Sequence, residues 1–215
     1  MHHPLHGIQA LEGLSYVVIE QHAEAFRRWA GLGLDEYLPA SELFDELDAY
    51  DQIVIDGLRR DVISGVGDLS PDTQGHVFYN LEFDRVELEL NTSMFTALAE
   101  DAPHARFCFA HELGHLVLHS ALAFLLANAS EHERAALMRN PTHPPYEDTE
   151  WQANAFGGAL LMPYLALCDL KARHPDEGDL KVAIMEQFGV TPKAADVRLK
   201  VLRERAEKFA ALLPD

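Results

Sequence analysis

The chain has 215 residues, 48% of them hydrophobic, which suits one globular domain or one with a small appendage. Its 17 basic side chains face 35 acidic ones, and a net charge of −18 opposes a molecule that clings as a whole to nucleic acid. No apolar run approaches the roughly 18 residues of a membrane span, and Met1–His6 has neither a basic n-region nor a following apolar stretch, so neither an anchor nor a signal peptide is expected.

In chain order, His2, His3 and His6 read as a disordered tail. Residues 15–30 look helical, with Val18, Ile19, His22, Phe26 and Trp29 broadly on one side. Residues 41–67 hold a short helix and the apolar stretch Ile53-Val54-Ile55, ending at Gly65-Val66-Gly67. Two strands follow within 76–91: Val77-Phe78-Tyr79, then a strict alternation that sends Val86, Leu88 and Leu90 to the core and Glu87 and Glu89 to water. Helices are predicted over 96–119 and 150–170. Between them, residues 128–150 contain Pro141, Pro144 and Pro145 and read as a mobile loop near the cleft. The chain closes on a helical pair over 180–210, in which Gly189-Val190-Thr191 turns and Pro192 opens the second helix. That shape invites a DNA-binding reading, but Asp196 lies in the second helix and the apolar positions favour packing or substrate docking. Charge is uneven: residues 180–215 carry seven basic and five acidic side chains, so the body before them is strongly acidic. Cys108 and Cys168 sit in apolar helical settings and read as buried free thiols in a reducing compartment.

The chemistry concentrates at His111-Glu-Leu-Gly-His115, the HExxH pattern. Positions i and i+4 share a helix face, so His111 and His115 can present two imidazoles to one metal ion. Glu112 lies about 100° around the helix, where it can take a proton from an activated water without being a ligand. Phe107, Ala110, Leu113, Gly114, Val117 and Leu118 recur at helical spacing, so the motif lies on a largely buried helix. Two histidines and a glutamate are costly there without a partner, and a metal supplies one. Gly114 costs about 1 kcal/mol relative to Ala within a helix. Close approach of another backbone explains it better than propensity does.

A third ligand has to come from elsewhere. In the run from Glu150 to Pro163, Ala153, Phe156, Gly157, Leu160 and Leu161 recur at helical spacing, and Thr149 with Gln152 fits a capping box. Ala153 and Gly157 form a small-residue strip suited to tight packing on the first helix. Glu150 can complete a His-His-Glu site with an open fourth position, the pattern of catalytic zinc. Asn154, one turn on, is suited to orienting a ligand imidazole. His119 lies about one turn too far along to share the ion and reads as a helix C-terminal residue.

Arg-Phe-x-x-Ala-His-Glu-Leu-Gly-His-x-x-x-His at 106–119, then Glu-x-x-Ala-Asn-x-Phe-x-x-x-Leu-Leu-Met-Pro at 150–163, resembles the ImmA/IrrE family of metallopeptidases. Phe188-Gly-Val-Thr-Pro-Lys-Ala, with Arg198, Leu199 and Leu202, extends the resemblance to about residue 200. It implies that His111, His115 and Glu150 bind the metal and that Glu112 is the general base. It also implies an α+β fold: a zincin-like core over 1–175, with a small mixed or antiparallel sheet and two active-site helices. A C-terminal helical subdomain with helix-turn-helix-like helices, 176–215, would pack on that core. The expected activity is that of a cytoplasmic zinc endopeptidase cutting a helix-turn-helix transcriptional repressor, in stress response or mobile-element regulation. Manganese is compatible with the mixed N/O ligands. Two departures from the family stand out: Gly157-Gly158 replaces alanines, and residues 120–149 form an unfamiliar connection. The competing reading is a regulatory or toxin-antitoxin-type protein that acts by binding, with a structural or vestigial metal site; an intact Glu112 beside the ligands opposes it. His143, Tyr146 and Tyr164 are candidates by chemistry for stabilising the transition state.

Overall fold

The computed structural model describes residue 5, residues 8–70, 72–138 and 142–209, and residue 212. His2, His3, His6 and Pro141, singled out in the sequence, lie outside the described residues. A two-residue hairpin, β1 (Val54–Ile55) and β2 (Leu58–Arg59), comes first. Asp56 and Gly57 both take positive φ at its turn, as a type I′ connection demands. The main sheet is mixed. Its central β5 (Arg85–Asn91) pairs in parallel with β3 (Asp61–Gly67) on one side and antiparallel with β4 (Gly75–Asn80) on the other. The alternation read from β5 holds, since Val86, Leu88 and Leu90 are fully buried. Glu87 and Glu89 are half-buried rather than in open water. Asn80 and Arg85 donate to the Glu87 carboxylate at 2.8 and 2.7 Å. The sequence predicts no strand over β3. Only Val62 of that strand is buried, so no alternation marks it, and its pairing with β5 holds it in place.

Helix α1 (Tyr16–Trp29) buries Ile19, Ala23 and Phe26, but also Glu20 and Arg27, and leaves His22 exposed. The buried face is therefore rotated from the expected stripe. The two charged residues tolerate burial because each is paired. Glu20 meets Arg198 at 2.6 Å, and Arg27 donates to the carbonyl of Leu160 at 2.8 Å. Two short helices, α2 (Ala40–Asp45) and α3 (Thr92–Ala99), flank the sheet region in sequence. The helix expected over 96–119 is in fact two: the chain breaks at Asp101, with φ 58°, and restarts at Pro103 as α4 (Pro103–Asn128). By length and composition α4 suits a membrane span, yet 72% of that stretch is buried inside the fold. It is the core helix, covered on more than one face by β4 and by α6 (Thr149–Leu161).

The connection 128–150 is not one long loop. Ser130 and Glu133 form a reciprocal capping box that starts α5 (Glu131–Leu137), and a 3₁₀ turn spans Pro145–Glu147. The N-terminal segment pairs with the end of this connection: Ala10 N–H donates to the Glu147 carbonyl at 2.7 Å, and Leu14 N–H to that of Tyr146 at 2.9 Å. Pro163 ends α6 and opens α7 (Tyr164–Arg173). The terminal pair forms as read, α8 (Glu177–Phe188) and α9 (Pro192–Glu204), with Gly189 left-handed at φ 59° and Thr191 capping α9. Leu180, Ile184, Phe188 and Ala195 of these helices join the apolar core, and a last turn of helix, α10 (Ala206–Phe209), follows. Both cysteines are free thiols.

Candidate metal centre

Two helices build the site by close approach. A Cβ on Gly114 of α4 would lie 2.8 Å from Ala153 Cα and 3.0 Å from Ala153 O of α6. One on Gly157 would meet the His111 backbone nitrogen at 3.2 Å. The crossing is backbone against backbone: it requires the glycine at 114 and leaves a Cβ at 157 only a tight fit. Helix α6 starts at Asp148, not at a capping box of Thr149 and Gln152. The Asp148 carboxylate accepts from Trp151 N–H at 2.8 Å and lies 2.9 Å from His143 Nε2. Thr149 is already helical and buried, and its hydroxyl donates to the Ile8 carbonyl at 3.1 Å. This start sets Glu150 in the first turn, beside the HExxH face.

The side chains of His111, His115 and Glu150 converge. His111 Nε2 and His115 Nε2 are 3.1 Å apart. Glu150 Oε1 is 3.1 Å from His115 Nε2, and its Oε2 is 3.5 Å from His111 Nε2. Ligand atoms at about 2.0–2.1 Å from a tetrahedral zinc stand roughly 3.3–3.4 Å from one another. The observed separations bracket that figure, so the three side chains stand at a spacing that could hold one ion. Their exposure is graded: the side chain of His115 is 2% exposed, His111 13% and Glu150 31%, which leaves the open side towards a cleft. That cleft, of about 460 Å³, is lined on the sheet side by Thr73, Gln74 and Gly75 and on α4 by His104, Phe107 and Cys108. A neighbouring apolar hollow of about 490 Å³ shares His104 and Phe107 with it and runs along α9 past Ala194 and Val197.

Glu112 is buried beside the cleft and is not one of the converging donors. A Cβ on Gly75 would lie 2.8 Å from Glu112 Cγ, so the glycine at the start of β4 makes room for the carboxyl group. Burial, and secondarily the Glu112 charge, push the Cys108 thiol up to about 12. Cys108 is therefore a neutral thiol at physiological pH and no competing nucleophile.

Several sequence expectations are corrected. His119 is not at a helix end, because α4 runs on to Asn128. It is buried in mid-helix, with Nδ1 3.0 Å from His115 Nδ1 and Nε2 2.9 Å from Gln152 Oε1. Burial, reinforced by His115, pushes its pKa down to about 3, so the ring is neutral. Asn154 does not orient an imidazole: its amide donates to the Glu150 carbonyl of its own helix at 2.7 Å. Gln152, read only as a capping residue, reaches the histidines instead. His143, Tyr146 and Tyr164 do not line the cleft. His143 supports Asp148, and Tyr164 stacks on Phe209 at 4.9 Å between centroids. His104, two turns before His111 on the same helix face, does line the cleft, and that i, i+7 spacing was its only signal. Among the described residues, none of the segment 128–149 lines the cleft.

No curated protein matches the chain. Among solved structures it is similar to a Mycobacterium tuberculosis transcriptional regulator, with 16% identity, a TM-score of 0.46, and coverage of 83% of this chain and 44% of that one. The chain thus spans less than half of the regulator's length. A family model described as the IrrE N-terminal-like domain of peptidase family M78 matches residues 83–200, from β5 into α9, a stretch that contains His111, Glu112, His115 and Glu150. With more than half of its length matched, the chain belongs to that family, the ImmA/IrrE group that its motifs resemble.

Proposed function

We propose that this protein is a cytoplasmic zinc-dependent endopeptidase that cuts one specific protein partner, a helix-turn-helix transcriptional repressor. The observation that carries the reading is the convergence of His111, His115 and Glu150 at ligand spacing, with Glu112 buried alongside in an open cleft. In this reading the three converging residues hold a divalent metal, zinc first and manganese also compatible. Such an ion, when bound, polarises the scissile carbonyl and acidifies the attacking water. Glu112 accepts the proton of that water and returns it to the leaving amine. Strand β4 borders the cleft at Gly75 and pairs only with β5 among the described strands. An extended peptide laid along it gains backbone hydrogen bonds with little side-chain selectivity. Selectivity then comes from docking outside the cleft. The C-terminal helices suit that role, since α9 borders the apolar hollow and Val197 is 55% exposed.

Elemental analysis tests the ligand set. We expect about one zinc per chain, lost in Glu150→Ala and His115→Ala and kept in Glu112→Gln, as three protein ligands and one open position require. Normal metal content in Glu150→Ala would remove Glu150 from the set. The substrate is tested by incubating the protein and its Glu112→Gln variant with casein and with co-encoded regulators, followed by mass spectrometry of the fragments. The expected result is little digestion of casein and cleavage of one regulator by the unmodified protein alone. Equal cleavage by both proteins would overturn the role of Glu112. Tight binding without cleavage would replace proteolysis with action by binding.

A further inference from the structure

The polar chain behind His115 has one direction of donation. Gln152 Nε2 faces two backbone carbonyls, of Glu12 at 2.8 Å and of Tyr146 at 2.7 Å. Carbonyl oxygens only accept, so this end of the amide is the NH₂ group, and a flipped amide would set its oxygen against both. The Gln152 oxygen therefore faces His119 Nε2 at 2.9 Å, and that nitrogen must carry a hydrogen. A cationic His119 would be a charge at 2% exposure with no carboxylate hydrogen-bonded to either nitrogen, so the ring holds a single proton. Its Nδ1 is then a lone pair. The hydrogen of the 3.0 Å contact between the two rings belongs to His115 Nδ1. One consequence remains: with Nδ1 committed to His119, Nε2 is the nitrogen of His115 left to face the site, 3.1 Å from both His111 Nε2 and Glu150 Oε1.

We infer that His119 and Gln152 are positioning residues that hold hydrogen on His115 Nδ1 and turn Nε2 to the metal site as its ligating nitrogen. An isolated imidazole favours the opposite tautomer, with hydrogen on Nε2, which would block ligation. The relay reverses that default. Its far end is anchored outside the two metal-site helices, on the N-terminal segment at Glu12 and on the turn at Tyr146. The same polarity follows from the other end, because a metal on Nε2 requires hydrogen on Nδ1. Only this last step rests on the metal reading above; the direction of the relay does not.

The test uses the full chain. With ¹⁵N-labelled histidine and no metal, long-range ¹H–¹⁵N spectra should report hydrogen on His115 Nδ1 and on His119 Nε2, with His119 Nδ1 bare. In Gln152→Leu, signal from a form of His115 without hydrogen on Nδ1 should appear. Zinc affinity, read by competition with a chelating dye, should fall about 10–100-fold in His119→Leu, the range expected for loss of such a partner. It should largely recover in His119→Asn, whose amide oxygen can accept at the position of Nδ1. A His115 with no hydrogen on Nδ1 in the unmodified protein would overturn the inference. So would a folded His119→Leu variant that binds zinc as tightly as the unmodified protein, or an Asn variant no better than Leu. Should His119→Leu fail to fold, the tautomers of the unmodified protein still decide. If the unmodified protein binds no zinc, the metal reading falls, and the ¹⁵N spectra judge the relay separately.

Discussion

Glu112→Gln should lower peptide hydrolysis by about 10²–10⁴-fold, the usual contribution of a positioned general base, while fold and metal content stay as they were. The magnitude follows from what the amide lacks. Gln matches Glu in volume, so it keeps the packing against Gly75, where there is no space for more than the present side chain. It has no basic oxygen to accept a proton from water. The converging donors are His111, His115 and Glu150, and Glu112 is not among them, so ligation should be untouched. Initial rates on the identified substrate, elemental analysis and a thermal melt together separate the outcomes. Metal lost along with rate would make Glu112 a ligand. A loss smaller than about tenfold would leave the proton transfer to another group.

The parts of the site that the sequence reveals are those written along one helix. His111, Glu112 and His115 are fixed relative to one another by helical geometry alone, and the glycine between them announces the close approach that Ala153 makes. What stays hidden depends on which faces meet. Asn154 and Gln152 are two residues apart on α6 and point in very different directions. Only the crossing with α4 decides that Gln152 turns to His119 while Asn154 stays exposed. Strand β3 was hidden for a related reason, because its evidence is its partner β5 rather than its own burial pattern. Two further features are written in the sequence itself. Ser130-Glu131-His132-Glu133 spells the capping box that starts α5, and Pro103 marks the true start of α4 after the left-handed Asp101. The prolines that signal a loop, Pro144 and Pro145, come after the helix rather than within it.

Gly114→Val should damage stability and metal binding together. A Cβ at this position already meets the Ala153 backbone at 2.8 and 3.0 Å, and backbone cannot swing aside as the end of a flexible side chain can. Relief requires α4 and α6 to separate by something like an ångström, since ordinary contact begins near 3.5 Å. Overpacking of this kind costs about 1–3 kcal/mol, occasionally more, and the two further methyl groups of Val place it at the upper end. The gain in helix propensity over Gly is less than about 1 kcal/mol and does not offset that loss. The same movement carries Glu150, three residues before Ala153, away from His111 and His115, and Gln152 away from His119. Zinc affinity should therefore fall by more than the loss of packing alone would cause. Gly158→Ala is the matched control in the same helix pair: its Cβ would meet only Arg198 Cδ, at 3.9 Å. There the propensity term acts without a clash, and stability should rise by up to about 1 kcal/mol with zinc affinity unchanged. Urea unfolding and zinc competition on the two variants read both effects. If Gly114→Val kept the stability and zinc affinity of the unmodified protein, the backbone crossing would not be what brings Glu150 to the histidines.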